Sequence, residues 1–492
     1  MLFRSRALCL ANCNRGVESA QTYLQAAQGA DARTARGLQC RAAEQYMRSG
    51  HTDEGVAELR KVLRALGISH PQSRLQVFSR LLLRRAQLRL RGGRITIRPD
   101  EAISELDRER IETCWMAGQV LGTTDFIISA IFSTESALLA LRHGQADYIA
   151  LTMAREVLNH SVGGGAGILR GQKILERAQR IAQTLNNPSL DAQLALAEGY
   201  LQMFSGDWPS SRLAFIRTIS LFQERCHGKA YEIDLAWTSI LLLDRYLGNF
   251  AEIQRHLFRM VDEATARNDL YHLTNLRGST VVHFFIREDN PEEARRTSEK
   301  ALAGWTRNTF DIVRSEANTS LCEVDLYEGD GISALQRTIW IHSQMRQHFF
   351  LRLSTMRHQI YFAQGRAALL AIFQGGATPE RLRLLDNAAR QLEKEPDVWP
   401  HPFAALLRAG QSAWQGDDGA AIGSWRRAMD AFSRLQLLPF AAAARFRLGQ
   451  FQGGEEGGRL KEEALQQIRA LGVRNPARYA ASLAPGEPRP RS

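Results

Sequence analysis

The chain has 492 residues, 44% hydrophobic and 23% charged, which supplies apolar material for a large core and excludes a disordered chain. Six scattered cysteines exclude a disulfide scaffold, and no run approaches the roughly 18 to 20 apolar residues that span a bilayer. A soluble, cytoplasmic chain with reduced, buried thiols is expected, and the net charge of +11 raises the question of an acidic partner.

The first residues, Met1-Leu2-Phe3-Arg4-Ser5-Arg6, have the basic start of a signal peptide, but the apolar part fails at Asn12 and Asn14. A helix interior is the better reading. Cys9 and Cys13 lie one helical turn apart, yet no second close pair of Cys or His completes a zinc site. Two or three helices are expected before residue 70, with Gly50 ending one and Thr52 or Asp53 capping the next.

A basic helix follows over residues 80 to 98, carrying Arg80, Arg84, Arg85, Arg89, Arg91, Arg94 and Arg98 without an acidic residue. Leu81, Leu82, Leu83, Leu88 and Leu90 run between the arginines, so an apolar face and a basic face are expected. The basic face fits a polyanion or an acidic protein. A solvated helix surface paired with the acidic segment Asp100, Glu101, Glu105, Asp107 and Glu109 is the favoured reading, since no aromatics are interleaved for base stacking and no nucleic-acid motif accompanies the charge. Residues 92 to 99 invite a short extended connection, and helices resume from 110 to 160, one of them ending at Gly144.

Gly163-Gly164-Gly165-Ala166-Gly167 then interrupts the pattern. A phosphate-cradling loop needs Gly-Lys-Ser/Thr at a fixed offset, and this run leads to Leu169-Arg170-Gly171-Gln172-Lys173, so a flexible loop is expected.

Beyond it a helix-like stretch repeatedly ends at Gly or a polar turn, an Asp or Asn follows, and a new helix-like stretch begins. Asp207, Asn249, Asn290, Asp330 and Asp417 are the aligned positions, spaced by 42, 41, 40 and 87 residues, and a degenerate copy at Gly375-Gly376-Ala377-Thr378-Pro379 divides the last interval. Gly closes a helix in the left-handed conformation, and Asp or Asn accepts from the free amides that open the next. Small residues follow four positions later at Ser211, Ala294, Ala334 and Ala421, with Ile253 the exception.

The fold expected is all-α: a right-handed solenoid of antiparallel helical hairpins, tetratricopeptide-like but with a period of about 40 residues instead of about 34. Residues 1–160 are expected to form N-terminal hairpins with the basic helix, 161–483 the regular repeats, and 484–492 a disordered tail.

Catalytic signatures are missing from the sequence. There is no His-Glu-x-x-His helix, Gly-x-Ser-x-Gly elbow, His-Arg-Asp loop or Asp-Phe-Gly, and Gly228-Lys229 lacks both the upstream Gly and the following hydroxyl of a Walker motif. His256, His272 and His283 fall in separate predicted helices, and Asp417-Asp418 reads as a helix cap. No catalytic residue, metal ligand or cofactor is expected.

Several segments carry a resemblance. They include Arg41-Ala42-Ala43-Glu44-Gln45-Tyr46-Met47-Arg48-Ser49-Gly50-His51, Glu224-Arg225-Cys226-His227-Gly228-Lys229-Ala230-Tyr231-Glu232-Ile233-Asp234 and Asp325-Leu326-Tyr327-Glu328-Gly329-Asp330. Gly472-Val473-Arg474-Asn475-Pro476-Ala477-Arg478 leading to Leu483-Ala484-Pro485-Gly486 is the most specific. The chain resembles the C-terminal tetratricopeptide-like region of large bacterial signalling proteins that fuse a serine/threonine protein kinase to an AAA-type (STAND) regulatory ATPase.

In that family the kinase and ATPase lie upstream, and no position here matches their motifs. The resemblance implies a stand-alone repeat protein or a truncated fragment, acting as a non-catalytic scaffold or sensor that binds a protein or a small effector. A protein partner is expected, with a kinase or ATPase in trans among the candidates, and no membrane. The alternative is a nucleic-acid-associated regulator using the basic helix.

Overall fold

The computed structural model describes residues 2–13, 15–71, 73–91, 95–99, 103–123, 125–226, 229–306 and 309–487. The described residues form helices joined by turns, with no strand among them, and helices consecutive in the chain pack together in pairs. Residues 95–99, expected to be extended, are an irregular connection held to the end of helix Phe126–His143 by one hydrogen bond, from Arg98 N to Gly144 O at 2.7 Å.

Turn chemistry sets the register of the repeats. Gly206, Gly248, Asp289, Gly329 and Gly416 have φ of 90°, 89°, 55°, 82° and 83°, so each aligned position follows a left-handed helix terminus. Asp207, Asn290, Asp330 and Asp417 then accept from the amides of Ser210, Glu293, Ser333 and Ala420. Asn249 makes no such cap; its side-chain amide donates to Asp244 at 2.7 Å instead. The small residues four positions on are buried where paired helices approach, and Ser211 Oγ donates to Gly199 O at 2.8 Å across one such contact. The degenerate copy follows the same rule through the Thr378 cap of helix Pro379–Glu393.

Distant pairs also touch. Helix Ala230–Leu247 meets helix Leu438–Gln452, and helix Ile312–Glu328 meets helix Pro476–Leu483. The turn after helix Ala32–Arg48 docks on residues 270 and 305, with Leu270 N donating to Ser49 O at 3.1 Å. One apolar core runs from Leu196 to Ala484, and aromatic contacts such as Trp208 to Trp399, 5.1 Å between rings, tie copies that are far apart in sequence.

Several expectations need correction. The division at 160/161 falls inside a helix pair, because Ala150, Val157, Leu175 and Leu190 share one apolar cluster across it. The glycine loop is pinned, with Gly165 N donating to Asp397 Oδ1 at 3.0 Å. The tail is packed through Gly486, since Arg447 Nε donates to Ala484 O at 2.6 Å and Gly486 lies against Trp425; residues 488–492 lie outside the described residues. Four helices, not two or three, precede residue 70.

Helix Phe126–His143 is, contrary to the hydropathy reading, long and apolar enough to cross a membrane by length and composition. Here it is packed between neighbouring helices, with Ile131, Phe132 and Ala140 fully buried. Of the six free thiols only Cys114 and Cys322 are buried, while Cys9 and Cys13 are exposed.

Candidate ligand-binding interior and the arginine helix

The basic helix extends over Arg74–Arg91 and packs mainly on helix Phe126–His143. Its arginines do not form one open face. Arg80 donates to Glu135 at 2.5 Å and Arg84 to the same carboxylate at 3.1 Å, while Arg85 bonds Glu156 of helix Ala146–Ser161 and Arg91 bonds Leu141 O. Arg89 and Arg98 are exposed, and Arg94 lies outside the described residues.

The physical cause is the facing surface. It presents two nearly buried carboxylates that need charged donors, so three arginines turn inward. Leu75, Leu82, Leu83 and Leu90 are left exposed. The acidic segment pairs elsewhere: Glu109 with Arg36 at 3.2 Å, and Asp107 with Arg110 at 3.2 Å. Asp100 and Glu101 lie outside the described residues.

A second candidate was not visible as a motif. The first helices of successive pairs, Pro188–Ser205, Ala230–Leu247, residues 270–287, Ile312–Glu328 and Ser354–Gly375, border a cavity of about 230 Å³. A space of about 430 Å³ shares Tyr200, Phe204 and Leu235 with it, and a smaller one of about 50 Å³ shares Arg245, Phe250 and His283. The spaces adjoin one another at these shared walls. They are mostly apolar with a few convergent polar groups, which is the composition of small-molecule sites.

The polar groups at the first of these spaces, Arg245, His283 and Glu316, are half-buried. Arg245 contacts His283 Nε2 and stacks on Tyr246, 4.9 Å from the ring. Burial, together with Arg245 and Arg366, holds the His283 imidazole far below its ordinary range and therefore neutral. Burial also lifts the Glu316 carboxyl, against the pull of Arg245 and a hydrogen bond with Gln359. Deeper in, Arg366 is bonded to Glu323 and to Ser482 O. Residues 270–287 contain a π turn at Leu276–Thr280, which brings Ser279 and Thr280 to the cavity wall. Such turns occur often at functional sites.

The three histidines grouped on paper are separate. His256 lies against Trp237, 4.4 Å between rings, His272 is buried 3.8 Å from Asp234, and only His283 faces the interior. Among the described residues, no group of three or more His, Cys, Asp or Glu is arranged to hold a metal. No protein-family model matches the chain, and none of the curated proteins matches it.

Proposed function

We propose that the chain is a non-catalytic sensor or scaffold module of the kinase–ATPase signalling type. Its helix pairs form a right-handed, tetratricopeptide-like solenoid whose interior receives a small effector, and a protein partner, such as a kinase or ATPase acting in trans in the cytoplasm, reads the occupied state. The observation that carries this reading is the interior cavity and the space adjoining it, bordered by helices of successive pairs and holding polar groups among apolar walls. Effector binding between repeats would couple their relative positions, the physical requirement for a signal at the outer surface.

Thermal denaturation with a panel of neutral, cationic and anionic small molecules tests it. A ligand at 100 times its Kd stabilises by about 2.7 kcal/mol, and the gain should vanish in Thr238→Trp, which fills the cavity from helix Ala230–Leu247. A gain retained by that variant, or none across the panel, would overturn the reading. The purified chain is expected to show no ATP hydrolysis, since it carries no phosphate cradle with a metal-binding carboxylate set.

The nucleic-acid reading has less support. Three of the arginines on which it depends are engaged with Glu135 and Glu156.

A further inference from the structure

Several buried guanidinium groups elsewhere in this protein are matched to carboxylates, though Arg155 is bonded to Gly118 O at 3.0 Å and Ser129 Oγ at 2.8 Å instead. Arg48 meets Glu232 at 3.1 Å, Arg357 meets Glu395 at 2.6 Å and Arg366 is bonded to Glu323. Arg245 departs from this pattern. Among the described residues no carboxylate lies within ion-pairing distance of it, and its polar partner at the cavity is the neutral imidazole of His283.

A neutral ring nitrogen satisfies one N–H and none of the charge. A guanidinium has five N–H donors in a planar fork, which leaves geometry for a bidentate acceptor. Glu316 lines the same wall, and burial raises its carboxyl against the pull of Arg245 and a hydrogen bond with Gln359. The polar end of the cavity therefore carries a cation whose acceptor there is a single ring nitrogen. The rest of the wall is apolar, formed by Tyr200, Phe204, Leu242 and Phe284. At about 230 Å³ the space lies near the lower end of the range for ligand sites, which sets the occupant at on the order of ten non-hydrogen atoms.

We propose that the interior cavity binds a compact amphipathic organic acid, with its carboxylate on Arg245 and its apolar body against Tyr200, Phe204, Leu242 and Phe284. This rests on the reading of the interior as an effector site and adds the chemical class. The carboxylate supplies a counter-charge and a bidentate acceptor to Arg245, and the hydroxyls at the π turn border the same space. A neutral molecule of the same shape gains the apolar contacts without the charge pairing.

Isothermal titration calorimetry of the full chain with octanoate and with octanamide tests the assignment. Octanoate is expected to bind at least tenfold more tightly than octanamide, and Arg245→Gln should remove that preference. Equal affinity for the two probes, or a preference that survives R245Q, overturns the organic-acid site but leaves an effector-binding interior standing. That broader reading is judged separately by the mixed panel and the Thr238→Trp variant.

Hydrogen exchange on the wild-type chain needs no variant to fold. Octanoate is expected to slow exchange in residues 276–287, and protection confined to any other segment overturns the assignment.

Discussion

Arg48 and Glu232 stand 184 residues apart in the chain and 3.1 Å apart in the fold. Only 1% of the Glu232 side chain is exposed, so the pair joins the N-terminal helices to the repeats through a desolvated contact. Burial alone would raise the Glu232 carboxyl, but Arg48 and then Lys229 outweigh it and hold the pKa below its ordinary value. Its stabilising contribution is therefore present above the ordinary carboxylate range and is lost as pH falls. Arg48→Ala is expected to cost about 3 kcal/mol at pH 7 by leaving a buried charge. With only Lys229 left at 3.7 Å, burial should then dominate, and part of the loss should return at pH 5. Urea melts at the two pH values check both magnitude and sign.

Two turn glycines separate backbone strain from crowding. Gly206 and Gly329 have φ of 90° and 82°, but an added Cβ at Gly206 would lie 2.6 Å from Trp399 Cδ1, while at Gly329 it would meet nothing within 4 Å. Gly329→Ala is expected to cost about 1 kcal/mol from the left-handed backbone alone. Gly206→Ala should cost roughly 2–4 kcal/mol because the indole must also move. Equal shifts in Tm would mean that Trp399 does not pack on this turn.

The helix pairs were legible because local chemistry imposes them: a left-handed terminus precedes all five aligned positions, four of which cap the next helix, and neither device needs knowledge of distant contacts. The interior was written in the same period but less openly. Seven residues before the caps Asp207, Asn249, Asn290 and Asp330 stand Tyr200, Leu242, His283 and Glu323, and all four border the interior spaces. Their chemistry differs from copy to copy, so no motif marks them; only alignment on the caps does. The direction of the arginine helix was not legible at all. Periodicity separates its two faces, but which face turns inward depends on Glu135 and Glu156, contributed by other helices.

The carboxylate of Glu395 offers a test in acid. It accepts from Arg357 at 2.6 and 2.7 Å, and His358 Nε2 lies 3.0 Å away. Burial would raise its pKa, but the Arg357 hydrogen bonds and His358 prevail and hold it at about 2. A depressed carboxyl stabilises above its unfolded value and loses that contribution as pH falls towards 2, so wild-type stability should drop between about 4.5 and 2. Glu395→Gln is expected to lose on the order of 3 kcal/mol at pH 7 and to flatten that acid limb. An unchanged limb in the variant would show that other groups govern it.

The arginine helix yields a prediction that separates structural from polyanion-binding roles residue by residue. Arg89 is exposed, so Arg89→Gln should change stability by less than about 0.5 kcal/mol. Arg85 covers Glu156, whose side chain is 7% exposed, and Arg85→Gln should cost roughly 1–3 kcal/mol by removing that carboxylate's charged donor. Replacing Arg84, Arg85, Arg89 and Arg91 together by Gln tests nucleic-acid binding through its salt dependence. If all four meet phosphates, the slope of log affinity against log salt should become shallower by about four contacts. With Arg84 and Arg85 already engaged at Glu135 and Glu156, only weak binding that disappears near physiological salt is expected, with little change of slope in the variant. Submicromolar, sequence-selective binding at that salt would require these ion pairs to open on contact and would favour the nucleic-acid-associated regulator over the effector-binding repeat module.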